Sequence, residues 1–181
     1  MIGEHPKWSV RTILEKREGD INNCITPEER ISFLQQNVPY SSKEVAGNLL
    51  LNEGMDLLLS LLTGQGGISY SNSTAEIGVG DNDVGGGGEV AVRTQTELYG
   101  INQSYKPMEL GYPTAPTESS LGTGRSVKFK ASWGDADANF TWGEWSIRND
   151  STDVKNLNRK VVSLGTKTSG TWTLEVEICL S

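Results

Sequence analysis

From Thr171 to Leu180, apolar side chains fall on every second position. Trp172, Leu174, Val176, Ile178 and Leu180 alternate with Thr171, Thr173, Glu175, Glu177 and Cys179. Successive side chains of a strand point to opposite faces, so this period of two predicts a half-buried antiparallel strand. Val127, Phe129, Ala131 and Trp133 repeat the pattern, with Lys128 and Lys130 on the other face. If the two strands are neighbours, the lysines meet Glu175 and Glu177 across the sheet, at about 0.2–1 kcal/mol a pair. Burying each large apolar side chain is worth about 1.5–3 kcal/mol, so the apolar row dominates the charge pairs. Alternation also predicts strands at Ala75–Val79, Ala138–Ile147 and Asn156–Leu164. Trp142 and Trp145 are three positions apart and cannot share a face of a regular strand, which predicts a bulge near Gly143.

Helical spacing appears twice. Met55, Leu58, Leu59 and Leu62 stand at i, i+3, i+4 and i+7, one apolar stripe on a helix of about residues 53–63. Asn52 is its expected N-cap and Gly64 its C-cap. Earlier, Thr26-Pro27-Glu28-Glu29 reads as a capping box with proline at the first helical position. That short helix runs to about Gln36, with Ile31 and Leu34 inward, and Pro39 breaks it. Trp8 to Leu14 reads as a strand with Trp8, Val10 and Leu14 on one side. Residues 1–48 carry mixed charge and little apolar mass, so they read as an N-terminal arm that packs on something larger. Residues 49–181 read as the domain. The expected fold is mainly β: an antiparallel β-sandwich with one amphipathic helix and an extended N-terminal arm. Trp8, Val10, Ile13, Ile31, Phe33 and Leu34 of the arm are the expected partner-binding residues, with the loops at 81–88 and 105–124 beside them.

Composition narrows the function. A chain of 181 residues holds one domain of ordinary size plus an arm. Its net charge of −7 gains nothing from counterion release, which argues against nucleic-acid binding. No apolar run approaches the ~18 residues of a membrane span, and the start lacks the basic and apolar regions of a signal peptide. Cys24 and Cys179, far apart in sequence, read as free thiols.

Candidate chemistry is sparse. His5 is the only histidine, so no histidine-based triad or zinc site is expected in the core. Asp81, Asn82 and Asp83 suggest a calcium loop, but the spacing is not that of an EF-hand, and a solvated loop is the expectation. The glycine run Gly85–Gly88 has neither dinucleotide-binding nor P-loop spacing. Trp133, Trp142, Trp145 and Trp172 read as core, with a sugar-binding platform as the other use of four tryptophans. No catalytic set, cofactor or metal is expected.

Several short motifs occur in order: Asn52-Glu-Gly-Met55, Ala75-Glu-Ile-Gly-Val-Gly-Asp81, Thr94-Gln-Thr-Glu-Leu98 and Met108-Glu-Leu-Gly-Tyr-Pro-Thr114. They continue with Phe129-Lys-Ala131, Asp137-Ala-Asn-Phe-Thr-Trp-Gly-Glu-Trp145, Leu157-Asn-Arg-Lys160 and Leu164-Gly-Thr-Lys-Thr-Ser-Gly-Thr-Trp-Thr-Leu174. Over roughly residues 50–181 this series resembles a family of small structural proteins of tailed bacteriophages. It is similar, more loosely, to the collar-type domain at the head of phage tail fibres. The Gly85–Gly88 run replaces a stretch usually rich in Thr and Ala. The resemblance implies a non-enzymatic virion protein, made in the host cytoplasm, whose partners are the major capsid protein and other virion proteins. A cement or decoration protein on the capsid exterior, clamping neighbouring capsomers as a homo-oligomer (dimer or trimer), is the first expectation. A tail, baseplate or fibre-attachment protein is the second, and a carbohydrate-binding host-attachment module the third.

Overall fold

The computed structural model describes residues 7–82, 88–150 and 152–181. The C-terminal strand β10 (Thr171–Leu180) lies at the centre of a five-stranded antiparallel sheet. Its neighbours are β1 (Trp8–Arg17) and β7 (Arg125–Trp133), with β2 (Ser41–Ala46) and β6 (Thr117–Glu118) at the edges. The register sets Trp172 opposite Trp133, Leu174 opposite Ala131 and Val176 opposite Phe129. Every alternate pair is thus apolar and faces the second sheet. Between them, Glu175 lies opposite Lys130 and Glu177 opposite Lys128, so β7 and β10 are neighbours, the arrangement on which the expected cross-strand charge pairs depend.

The second sheet has the order β3 (Leu49–Leu50), β9 (Asn156–Thr166), β8 (Thr141–Asn149), β4 (Ala75–Gly80) and β5 (Gln103–Pro107). The two sheets enclose one core, and the protein is a mainly β, antiparallel β-sandwich. The β8–β9 register shifts between Trp142 and Glu144. That bulge, expected at Gly143, lets Trp142 and Trp145 both reach the interior, where neither is exposed. Trp142 stacks edge-on against Trp133 and against Trp172, each with ring centroids 4.9 Å apart. Such pairs add about 0.5–1.5 kcal/mol beyond their buried area.

The N-terminal stretch is not an arm. Strand β1 runs antiparallel to β10 along its whole length, from Trp8 opposite Leu180 to Arg17 opposite Thr171. Val10, Thr12 and Leu14 are buried in the interior. The division at residue 48 is therefore corrected: residues 8–17 complete the sheet that β10 centres. The reason is positional. Trp8, Val10 and Leu14 are too few to make a core alone, but they supply one row of a face whose other rows come from β10 and β7.

Helix α1 (Pro27–Gln36) begins as expected. Glu29 N–H donates to Thr26 Oγ1 at 3.2 Å, and Thr26 N–H donates to Glu29 Oε2 at 3.0 Å. It buries no residue completely. Helix α2 (Asn52–Leu62) starts one residue before the expected position, with Leu51 as N-cap and no side-chain cap. It ends in a Schellman turn. Gln65 N–H donates to Ser60 O at 2.9 Å and Gly64, at φ 70°, donates to Leu61 O at 3.4 Å.

The orientation of α2 decides what the surface offers. Its buried residues are Gly54 and Leu57, not the stripe that the sequence shows. Leu59 is 59% exposed and Leu62 81%. Gly54 sets this face: a Cβ there would overlap Leu157 O and fall 2.6 Å from Leu157 Cα. Only glycine lets the helix rest directly on the β9 main chain.

Candidate functional site

Two surfaces and two anchored segments make up the candidate site. At one end of the sandwich the sheets part around an apolar groove of about 540 Å³, lined by Trp8, Leu58, Leu61, Tyr70, Leu157 and Leu180 among others. Tyr70 OH is buried there without a hydrogen-bond partner among the described residues. Burial, reinforced by Glu53, pushes its phenol well above the usual range. Beside the groove the outer row of α2 presents Leu59 and Leu62 to solvent. The groove and the row together form a patch of the kind that marks contact sites on soluble proteins.

A buried ion pair is at the centre of the contacts that hold the segment 89–103 on the outer face of the second sheet. Arg159 and Glu144 have no side-chain exposure, and Arg159 Nη2 lies 2.5 Å from Glu144 Oε2. Glu144 Oε1 also accepts from the Tyr99 and Gly100 amides at 2.8 and 2.7 Å. Arg159 donates onward to Gln95 Oε1 at 2.6 Å and to the carbonyls of Val90 and Glu89. Asn82 brackets Glu89 from the other side, its amide donating to Glu89 O and its Oδ1 accepting from Glu89 N–H. Gly143 gives this approach its room, since a Cβ there would overlap the Asn82 carbonyl. Gln95, Glu144 and Arg159, far apart in the sequence, converge here.

The outer face of the first sheet is covered as well. Ser119, Ser120 and Arg11 surround Glu177: Ser120 N–H donates to Oε1 at 2.9 Å and Arg11 Nη2 reaches Oε2 at 2.8 Å. Burial pushes the Glu177 carboxyl up, but its hydrogen bonds, led by the Ser120 hydroxyl and amide with Ser119 beside them, together outweigh it and hold it at about 2. Glu177 thus takes Arg11 as its cation, while Lys128 and Lys130 both turn to Glu175. On the same face Thr171 accepts from Ile21 N–H, and Arg30 pairs with Glu109 at 2.5 Å.

The arm residues expected to bind a partner are divided by the fold. Val10 is core, opposite Ile178. Trp8 is half-buried at the apolar groove, its Nε1 donating to Asn48 Oδ1 at 2.8 Å. Ile13 lies on the outer face, opposite Glu175 and Glu44. Ile31, Phe33 and Leu34 are half-buried on α1, and the Phe33 ring leans on Gly19. They form no single surface. Leu59 and Leu62, expected only as a helical apolar stripe, and Glu144 and Arg159 were not among the expected partner-binding residues. The sequence signal for Glu144 was a charge inside the apolar run Trp142–Ile147.

Among the described residues no group of three or more His, Cys, Asp or Glu side chains is placed to hold a metal ion. Asp81 accepts from the Asn102 amide at 3.0 Å and from its side chain at 2.5 Å, and Asp83 of the suggested calcium loop lies outside the described residues. A different oxygen-rich loop, Asp135-Ala-Asp-Ala-Asn139, is closed by a cation from the chain itself. Lys167 Nζ, fully buried, donates to Gly134 O at 2.7 Å, Asp135 O at 3.2 Å and Asn139 Oδ1 at 3.0 Å. Among the described residues no helix is long and apolar enough to cross a membrane. No protein-family model, curated protein or solved structure matches this chain.

Proposed function

We propose that this chain is a non-enzymatic structural protein of a tailed-phage virion, acting as a cement or decoration protein that docks on neighbouring capsid proteins. The observation that carries the reading is the outward apolar row of α2 beside the apolar groove at the open end of the sandwich. Helices normally bury such a stripe, so a helix that buries Gly54 and Leu57 and turns Leu58, Leu59 and Leu62 toward solvent is built to meet another surface. The motif series over residues 50–181 supplies the virion context. Because β1 is part of the sheet, the clamp is a face of the folded domain rather than a flexible arm. Dimeric or trimeric assembly follows from capsid sites on local symmetry axes. Binding of sugars by a tryptophan platform is disfavoured, since Trp133, Trp142, Trp145 and Trp172 are all at most 3% exposed.

Electron cryomicroscopy of intact particles locates the chain directly, and particles lacking it test the role. Loss of capsid stability to heat or low salt on deletion supports the cement function. Unchanged capsid stability with lost adsorption refutes it and favours the tail.

A further inference from the structure

Strand β9 is eleven residues long, but its outer neighbour β3 pairs with only two of them, Arg159 and Asn158. From Lys160 onward that edge has no strand partner among the described residues. Such an edge offers unpaired N–H and C=O groups and is a template for an incoming strand. It borders an open cleft of about 1010 Å³ whose walls include Asn48, Phe140, Thr141, Val161, Val162 and Ser163.

The charges beside this edge are unbalanced. Lys43 Nζ donates to Ser163 O at 2.6 Å, and Lys160 Nζ donates to Ala46 O at 3.0 Å. Both ammonium groups thus rest on main-chain oxygens across the gap between β2 and β9. Lys16, which lies opposite Ser41 of β2, holds its ammonium 3.8 Å from the centre of the Trp172 ring. Burial and the neighbouring Lys43 lower its affinity for a proton. Among the described residues none of these three lysines is ion-paired, although the chain is acidic and nine of its other cations pair with carboxylates. Among the described residues the cleft lining carries one acid, Asp81, and its carboxylate is taken by the amide and side chain of Asn102, so it pairs with none of these lysines.

We propose that the free edge of β9 accepts an extended acidic segment of another protein as an added strand, with Lys43 and Lys160 turning from main-chain oxygens to its carboxylates. Ser163 O, freed from Lys43, then joins the ladder. Apolar side chains of the added strand lie against Phe140 and Val162, and its acids lie along the lysine row. The occupant is a partner rather than a second copy pairing at the adjacent edge. An antiparallel two-fold pairing of β2 centred on Lys43 or Glu44 sets like charges opposite each other. The inference deepens the assembly reading by naming the partner's binding segment. Its test needs no virions, so its failure and a failure of the virion assignment are read separately.

The probe is a fluorescein-labelled decapeptide alternating Glu and Val, titrated with the full chain and followed by anisotropy. Saturable binding that weakens with salt is expected. The K43Q/K160Q double variant, whose fold is checked by circular dichroism, should bind roughly tenfold more weakly, from two exposed pairs of up to about 1 kcal/mol each. The same peptide N-methylated at alternate residues keeps its charges but loses its ladder donors, and should not bind. Equal binding by the N-methylated peptide overturns strand addition, equal binding by a Lys–Val peptide overturns the acidic partner, and no binding at all overturns both. Self-association of the chain that the peptide dissolves overturns the partner in favour of a second copy.

Discussion

Glu144 and Arg159 form an ion pair from which solvent is excluded on both sides. The pair stands between the second sheet and the segment 89–103, and each partner binds that segment's main chain. Two charges removed from water gain from each other only if the remaining lone pairs and protons are also satisfied. Here the Tyr99 and Gly100 amides supply the remaining donors and the Gln95, Val90 and Glu89 oxygens the acceptors. Removing one partner leaves a buried charge uncompensated, at about 3–5 kcal/mol. Glu144→Ala and Arg159→Met should therefore each destabilise by that order in urea unfolding. The double variant should cost much less than the sum, and the Tyr99 and Gly100 amides should lose protection from hydrogen exchange in Glu144→Ala. Additive single losses would rule out coupling between the two.

Gly54→Ala sets two effects against each other. Alanine favours a helix over glycine by about 1 kcal/mol. The added methyl, however, falls 2.6 Å from Leu157 Cα and overlaps its carbonyl, both main-chain atoms that cannot rotate away. Overpacking of this kind costs about 1–3 kcal/mol, so steric cost wins and the melting temperature falls by a few degrees. A rise in melting temperature would mean that α2 does not rest on β9 through this residue.

How far the sequence disclosed the structure differs between elements. The alternation of β7 and β10, the Gly143 bulge and the Thr26–Glu29 capping box were legible because each is a local pattern with a single geometric solution, whereas the pairing of β7 with β10 is long-range and entered only as a condition. The face of α2 was not. Periodicity shows that Met55, Leu58, Leu59 and Leu62 share a side, but it does not say whether that side meets the core. The deciding residue, Gly54, has no side chain to enter the pattern. The covering of Glu177, Thr171 and Thr173 was equally hidden. Alternation assigns them to the outer face, and only the tertiary path of residues 19–37 and 108–121 buries them. Residues 8–17 read as an arm because a strand's own composition does not show that two other strands await it.

Leu57 and Leu62 sit five positions apart on one helix with opposite fates. Leu57 is buried and Leu62 is not. Leu57→Ala should cost about 2–5 kcal/mol in chemical unfolding. Leu62→Glu should change stability by no more than about 0.5 kcal/mol while abolishing retention on particles in a co-sedimentation assay. Full retention of Leu62→Glu would remove α2 from the docking surface.

Lys167 offers a test of the cation that closes the loop 134–139. Its three acceptors, Gly134 O, Asp135 O and Asn139 Oδ1, lose their donor in Lys167→Met. An unsatisfied buried group costs about 1–3 kcal/mol, so the variant should unfold at markedly lower denaturant. Burial itself opposes the charged amine, lowering its pKa, and the nearby Asp135, Asp137 and Asp20 carboxylates act against that. Unchanged stability in Lys167→Met would show that water serves these oxygens as well as the ammonium does.

Glu177 makes part of the fold's stability dependent on acid. Its folded pKa of about 2 lies below the ordinary 4.5, so the unfolded chain binds the proton more readily. A carboxylate lowered in this way contributes stability that is full above about 4.5 and drains as pH falls toward about 2. In Glu177→Gln the Ser120 and Arg11 contacts no longer meet a charge, and that contribution is absent at every pH. The stability difference between the native chain and Glu177→Gln should thus be largest near neutrality and shrink steadily through this acid window, read by urea unfolding at a series of pH values. A difference that stayed constant down to about 2 would mean that the hydroxyl, amide and guanidinium around Glu177 hold its shape but not its charge.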